Sequence, residues 1–507
     1  MLPKIIYLRI LWLLLMTSAA TMWIGYVTRY GLALSPDSVA YMATAEHILD
    51  GTGLIQHDTE AFVRWTPLYP LTLALTMKIT GLPVLSAMRL FNLIFFVGIC
   101  MTVGLWFIRH IHQHWLYAIG IVLVTLSYPL FIYSLWGLSE LLFILLSLWC
   151  FIALERYMLT GRIQLIIIAG LLAILTLLSR YAGFFVIGTG GLLLLLNWPQ
   201  TWIRRILDAA LFGACTVPGG LAWTWHVKIS TGASAPATAP PGTTMWDNFM
   251  LHSGFIVDWF WPQLSLKIFP GLAIVAVLVA ILFYGFMLYR RSSNYKGRDL
   301  IPVWPHFFYF WAYSAALIIT TSTLGITSMA TGRISAPVFF PLIMTMIALL
   351  DIVLKSYSFR WRRIVMLIFL FAVMLSLRYT VIRFESVNRR FSIDGPDELH
   401  QFALRDSELW TYLIETDNDT SIWYSDNPYL VYLYTRRPTK EIPHVTWRLQ
   451  TWMDDVLPTY LEDGMQVRII WTSSYDTFYA VDESIIQGLP NMIPEATFDN
   501  ARIFLIR

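Results

Sequence analysis

Repeated apolar runs, each long enough to cross a bilayer, constrain this chain more than any other feature. A spanning helix needs about 20 mostly apolar residues. Such runs occur at approximately 5 to 27, 88 to 108, 116 to 135, 140 to 158, 163 to 179, 182 to 197, 206 to 226, 268 to 289, 303 to 325, 334 to 354 and 364 to 383. Arg180 divides the block from 163 to 197 into two runs. The first run is read as a retained helix, since it is long enough to span and lacks a convincing small-residue cleavage site. Charged residues make up only 13% of the 507 positions and mean hydropathy is +0.61. A soluble domain carries about 25% charged residues, so a water-soluble globule is excluded. The expected fold is an α-helical polytopic membrane protein with about eleven transmembrane helices.

The basic residues orient this array by the positive-inside rule. Lys4 and Arg9, Arg109, Arg156 and Arg162, Arg204 and Arg205, the run Arg290, Arg291, Lys296 and Arg298, and Lys355, Arg360, Arg362 and Arg363 fall in alternate loops. A cytoplasmic N-terminus places the loops 28 to 87 and 227 to 267, and everything after about 384, on the outer face. The acids agree with this division. Of 32 Asp and Glu, 20 follow residue 383, and Asp37, Glu46, Asp50, Asp58 and Glu60 cluster in the first outer loop. A net charge of +3 is too small to suggest a nucleic-acid partner.

Two domains are expected: a transmembrane domain over 1 to 383 that includes the first outer loop, and a small extracytoplasmic α/β accessory domain over 384 to 507. In the latter, Ser421 to Tyr424, Val467 to Trp471 and Arg502 to Ile506 alternate like strands, while 398 to 414 and 447 to 461 carry helical spacing. Asp426, in Tyr424-Ser-Asp-Asn-Pro428, reads as a turn residue. The stretch Thr231 to Thr244 reads as a mobile outer loop. Cys100, Cys150 and Cys215 lie inside apolar runs, without the spacing of a zinc site or a disulfide framework.

The chemistry-bearing residues gather at the outer face. In Leu34-Ser-Pro-Asp-Ser-Val-Ala-Tyr41, Ser35 can cap a helix with Pro36 in its first position. Asp37 then lies in the first turn, with Tyr41 one turn further on. There Asp37 either complements the helix dipole or serves as a base near the membrane surface. Glu46, nine residues on, points nearly opposite, so the two do not form a glycosidase-type carboxylate pair. His47, Asp50, His57 and Asp58 are spaced irregularly, which favours solvated loop residues over metal ligands. Arg64-Trp-Thr-Pro-Leu-Tyr-Pro-Leu suits a helix along the interface, with Trp65 and Tyr69 at headgroup depth and Arg64 toward the phosphates. Glu140, Arg180 and Arg333 sit at the outer ends of three spans, where ionisable groups either snorkel or mark a site. Their common face argues for one shared pocket.

Together these residues resemble the GT-C membrane glycosyltransferases, over roughly residues 1 to 350. The resemblance rests on Asp37 with Tyr41 in the first outer loop, the turn Asp50-Gly-Thr-Gly53, the Pro-Leu-Tyr segment and Arg89-Leu90 opening the second span. Ser139-Glu140 and Arg333 with Pro337 add to it. The nearest pattern is the family 39 branch, which includes protein O-mannosyltransferases and lipid A aminoarabinose transferases. The chain departs from the first group at Ser38, which follows Asp37 where Glu is usual. It departs from the second at Trp65-Thr66-Pro67, where a Lys precedes Pro-Pro-Leu.

The resemblance implies transfer of a sugar from a polyprenyl-phosphate donor to a lipid, glycan or protein acceptor on the outer face, with inversion at the anomeric carbon. Asp37 is then the base, and Arg64, Arg180 and Arg333 hold the donor phosphate. Tyr41, Tyr69 and Glu140 position substrate. No metal ligands are assigned, and assistance by a divalent metal ion is left open. The rival reading is a transporter or flippase of lipid-linked saccharides, which would show discontinuous mid-membrane helices and repeated halves. Neither signal is present in the sequence.

Overall fold

The computed structural model describes residues 4–197, 200–232, 244–260, 301–323, 332–356, 359–417, 421–443, 446–472, 492–498 and 501–506. The expected span at 268 to 289, the basic run from Arg290 to Arg298 and most of the loop from Thr231 to Thr244 lie outside them. Helices follow one another as α1 (Lys4–Val27), α2 (Pro36–Leu49), α3 (Leu68–Thr80), α4 (Val84–His110), α5 (His114–Thr125) and α6 (Tyr128–Ser134). Next come α7 (Glu140–Thr160), α8 (Gln164–Ser179), α9 (Gly183–Leu195), α10 (Trp202–Thr231) and α11 (Met245–Asp258). The helical series continues with α12 (Val303–Thr323), α13 (Phe339–Ser356) and α14 (Phe359–Ile393). Every expected span within the described residues coincides with one of these helices, or with the α5 and α6 pair. Six described segments are long and apolar enough to cross a membrane, while α8 and α9 are shorter apolar helices. This is a multi-pass membrane architecture.

The chain packs as two compact units. The first holds Met1–Arg29, Val63–Tyr69 and Arg89–Arg389; the second holds Tyr30–Phe62, Pro70–Met88 and Arg390–Arg507. In the first, α7 is the central helix. Its most apolar window is 78% buried, against 17% for the corresponding window of α14 and 22% for that of α1, so the latter two present most of their apolar surface outward. Packing of α8 on α10 relies on close helix approach. A Cβ on Gly170 of α8 would lie 2.5 Å from the Cβ of Cys215 on α10, a separation only glycine permits. Small residues at such crossings are the usual means of joining helices where water supplies no driving force.

Polar side chains pin the ends of these helices. Arg9 donates to the carbonyls of Ile111 (2.6 Å) and His112 (2.8 Å), and Asp351 accepts from the backbone N–H of His112 and Gln113. Arg89, at the start of the second span, donates to Gly25 O (2.6 Å) and Thr28 Oγ1 (3.0 Å). It therefore supplies donors to one carbonyl in the last turn of α1 and to the hydroxyl of Thr28 just beyond it.

The second unit contains a five-stranded sheet of β1 (Ser421–Ser425), β2 (Thr439–Glu441), β3 (Gln466–Trp471), β4 (Met492–Phe498) and β5 (Ala501–Ile506), in the order β2-β1-β3-β5-β4. β1 runs parallel to β2 and β3, and β5 is antiparallel to β3 and β4. The three expected strands are β1, β3 and β5. Their core gathers Tyr424, Trp452, Val467, Ile469, Trp471 and Phe504. The helical spacing over 398 to 414 resolves into two pieces, Phe402–Arg405 and Glu408–Glu415, because Ser407 caps the second and starts it afresh. Asp426 does end β1, but it is buried and accepts from Thr472 N (2.8 Å) at the end of β3. It is a turn residue that also ties two strands together.

The first-loop residues 30 to 62 pack in this same unit. Leu34 N donates to Asp397 O and Leu399 N to Leu34 O, and Glu46 pairs with Arg436 at 3.5 Å. The His57 ring lies tilted against Tyr429 with ring centroids 4.2 Å apart, and the residue is only 2% exposed. The expectation of a solvated His57 is therefore corrected: an aromatic shelf of the C-terminal segment covers it. Gly31 has φ +119°, and a Cβ there would meet the His400 ring at 2.4 Å, so the position needs glycine.

Burial of His400 holds its pKa below the ordinary value, and the ring lies against Leu32 O at 2.9 Å. The unfolded chain then takes up this proton more readily than the folded one. The stability contributed by neutral His400 is complete above about pH 6.5 and declines as pH falls from there toward the lowered folded value. In thermal unfolding of the detergent-solubilised protein, His400→Gln should reduce the stability lost between about pH 7.5 and about pH 5.5. An identical loss in both proteins would show that His400 does not carry it.

Candidate active site

In the first unit, three expected residues come together around one carboxylate. Glu140 is the first residue of α7, Arg180 follows the last residue of α8 with an extended backbone, and Arg333 lies in the turn leading into α13. Glu140 Oε1 accepts from Arg180 Nη1 at 2.7 Å and from Arg333 Nε at 2.5 Å. The carboxylate is 1% exposed, whereas the Arg180 and Arg333 side chains are 19% and 23% exposed. The negative charge is thus sealed in, and the two cations reach the edge of the packed helices. Glu140 Oε2 is buried without a hydrogen-bond partner among the described residues.

Supporting residues fix these three side chains, and of them the sequence pattern singles out Ser139 alone. Ser139 Oγ accepts from Arg180 Nη1 at 3.2 Å. Tyr181 donates its hydroxyl to Val63 O (2.8 Å) and accepts from Trp223 Nε1 (3.1 Å), which holds the break between α8 and α9. Tyr313 donates to Ile334 O (3.0 Å), and buried His252 bridges Ser335 and Ser314 at 2.8 and 2.9 Å. The segment bearing Arg333 is therefore tied from two helices. Adjacency to Glu140 and Arg180 was the available signal for Ser139 and Tyr181; His252 offered none.

Arg64, in the same unit, is exposed, and its guanidinium lies 5.2 Å from the ring centroid of Trp65. Tyr69 is fully buried beside Phe91, with ring centroids 5.7 Å apart. It is a packed residue in the first turn of α3.

Asp37 and Tyr41 belong to the second unit. Ser35 is the N-cap of α2, its backbone N–H donates to Ser38 Oγ at 3.1 Å, and Pro36 occupies the first turn as its fixed φ favours. Asp37 is half-buried in that turn. Tyr41 is 2% exposed, with its ring 6.2 Å from Phe62. Glu46 serves a different purpose on the other side of α2. Burial raises its pKa against the opposing pull of Arg436, and it anchors the C-terminal segment. Among the described residues, no group of three or more His, Cys, Asp or Glu is placed to hold a metal ion.

The described helices and strands together make a polytopic membrane protein with a small C-terminal sheet. No protein-family model matches the chain, and no curated protein does. Among solved structures, it is similar to ArnT from Cupriavidus metallidurans bound to undecaprenyl phosphate, at TM-score 0.59 and 11% identity over 97% of this chain and 98% of that one. The apo state of the same protein gives TM-score 0.58 and 11% identity, over 97% of both chains. The arabinofuranosyltransferase AftD from Mycobacteria aligns at TM-score 0.48 and 13% identity over 98% of this chain but only 40% of its own length. At such identities the likeness is one of fold.

The cluster makes a specific energetic prediction. Removing one member of a buried ion pair leaves a charge without compensation, at a cost of about 3 to 5 kcal/mol. Glu140→Ala should therefore lower thermal stability sharply, whereas Arg333→Ala leaves Glu140 paired with Arg180 and should be milder. Equal melting temperatures for wild type and Glu140→Ala would show that the carboxylate does not organise this end of the helices.

Proposed function

We propose that this chain is an integral membrane glycosyltransferase that moves a sugar from a polyprenyl-phosphate donor to an acceptor hydroxyl on the outer face, with inversion. The observation that carries this reading is the paired guanidiniums of Arg180 and Arg333, held on Glu140 at the ends of membrane helices. They occur in a fold shared along the whole chain with a protein crystallised with undecaprenyl phosphate. A phosphate at headgroup depth is best held by planar, permanently charged groups.

In this reading Asp37 takes the proton from the acceptor hydroxyl as its oxygen bonds to the anomeric carbon. The bond from that carbon to the phosphate oxygen breaks, and polyprenyl phosphate departs with the electron pair. A single displacement of this kind inverts the anomeric centre. Arg180 and Arg333, with Arg64, stabilise the charge that grows on the leaving phosphate. Glu140 positions the two guanidiniums, and Tyr41 and Tyr69 shape the surroundings of the substrates. The rival transporter reading gains no specific observation.

Purified protein should release polyprenyl phosphate from a labelled sugar donor. Asp37→Asn keeps the shape of the residue but removes the basic oxygen, so turnover should fall by about 10²-fold or more while donor binding persists. Arg333→Ala should instead weaken donor binding by about 10- to 100-fold, the scale of a lost charge-assisted hydrogen bond. Near-normal turnover in Asp37→Asn would return that residue to a role in the helix dipole.

The orientation has its own test. Cys100 and Cys150 are buried and Cys215 is half-buried, which keeps background labelling low. A cysteine at exposed Glu462 should react with an impermeant reagent from outside, and one at exposed Trp202 only after the membrane is opened. The reverse pattern would invert the topology.

A further inference from the structure

The opposite end of α7 carries a second polar assembly that the proposed reaction does not use. Glu155, 2% exposed, accepts from Trp106 Nε1 at 2.6 Å and pairs with His110 Nε2 at 3.0 Å; His306 Nε2 lies 3.5 Å away. Beside this group opens a cavity of about 390 Å³ between α4, α7 and α8. Its rim bears Arg109 at the end of α4, Arg156 on the last turns of α7, and Arg162 just past Gly161, whose left-handed backbone (φ 70°) ends α7. Among the described residues, no carboxylate pairs with any of these three guanidiniums. Glu155 also lines the cavity, with its oxygens turned to Trp106 and His110, so three guanidiniums stand against one carboxylate and the lining keeps a net positive charge.

One wall of the cavity is apolar and continues outward. Leu165 and Ile168 of α8 line it, and Ile168 is itself 46% exposed on the outer surface of the helix. A free anion would use the arginines and gain nothing from this strip. A phospholipid would use both, because the ends of spanning helices lie at headgroup depth and the helix surface beyond them faces acyl chains.

We propose that this cavity is a lipid-binding site that holds the phosphate of an anionic glycerophospholipid between Arg109, Arg156 and Arg162, with an acyl chain along the Leu165 and Ile168 face of α8. The site is separate from the Glu140 cluster, at the other end of the same helix, and does not depend on which way the protein faces. Three guanidiniums supply charge-assisted hydrogen bonds to phosphate oxygens. Glu155, with its Trp and His partners, fixes the ends of α4 and α7 that carry two of them.

The test uses the full chain, reconstituted in phosphatidylcholine vesicles with a trace of photoactivatable phosphatidylglycerol, and maps the cross-linked peptides. Adducts should concentrate in residues 152 to 168 and be competed by phosphatidylglycerol, but not by inorganic phosphate. Each Arg→Gln substitution at 109, 156 or 162 should reduce apparent affinity roughly fivefold, and the three together on the order of 100-fold. The triple Arg→Lys variant should keep most of the binding. Should the triple Gln variant fold poorly, as read from its melting temperature, the single variants carry the comparison. Undiminished adducts in Arg→Gln variants that melt like wild type would overturn the proposal. Competition by inorganic phosphate as effective as that by the lipid would overturn the lipid assignment in favour of a soluble-anion site.

Discussion

The organisation of the helical unit rests on a single buried carboxylate oxygen that serves two arginines. Glu140 opens α7, the most buried of the long apolar helices, and its charge would be untenable in that position without compensation. Compensation arrives from two places distant in sequence, Arg180 and Arg333, and each brings a chain break with it. The extended backbone at Arg180 is what separates α8 from α9. The turn at Arg333 is what precedes α13. One ion cluster therefore fixes the relative placement of four helix ends.

The same logic recurs along the helical unit. Glu155 lies 15 residues beyond Glu140, about 22 Å along an α-helix; Trp106 and His110 of α4 bond to it, and His306 of α12 lies 3.5 Å away. Asp208 pairs with Arg204 and accepts from Tyr157, while Asp351 holds the turn ahead of α5. Acids are scarce outside the two acidic regions, and these four are buried ties between helices rather than solvated charges. In a medium where apolar burial gives little preference among helix pairings, such ties help to select one arrangement.

The spans were legible because apolar length is a local property, and so was the break at Arg180, a charge within an apolar block. The caps were legible for the same reason: Ser35, Pro36 and Asp37 form the first turn of α2 within four consecutive positions. Pairings were not. Glu140 and Arg333 stand 193 positions apart, and nothing near either one announces the other. Edge strands were also hidden. β2 has only three residues, and β4 carries Pro494 and an exposed Ile493, so neither alternates like a buried strand. The helical stretch from 447 to 461 looked continuous. Pro458 lacks an N–H for the α-helical ladder, and the chain passes through a wider turn over Trp452–Val456 before it.

The position of the charges along the described helices bears on the proposed function. A substrate path through the membrane would place ionisable groups near mid-span, on interrupted helices. Here Glu140 is the first residue of α7, and Arg180 and Arg333 lie just outside α8 and α13. The middle of α7 offers Ser147, whose hydroxyl donates to its own helix at Phe143 O, and buried Cys150. Among the described residues, the polar chemistry of this helix is thus confined to its ends, and its middle is packed. That arrangement agrees with the proposed reading, in which the chemistry takes place at helix ends rather than within the span.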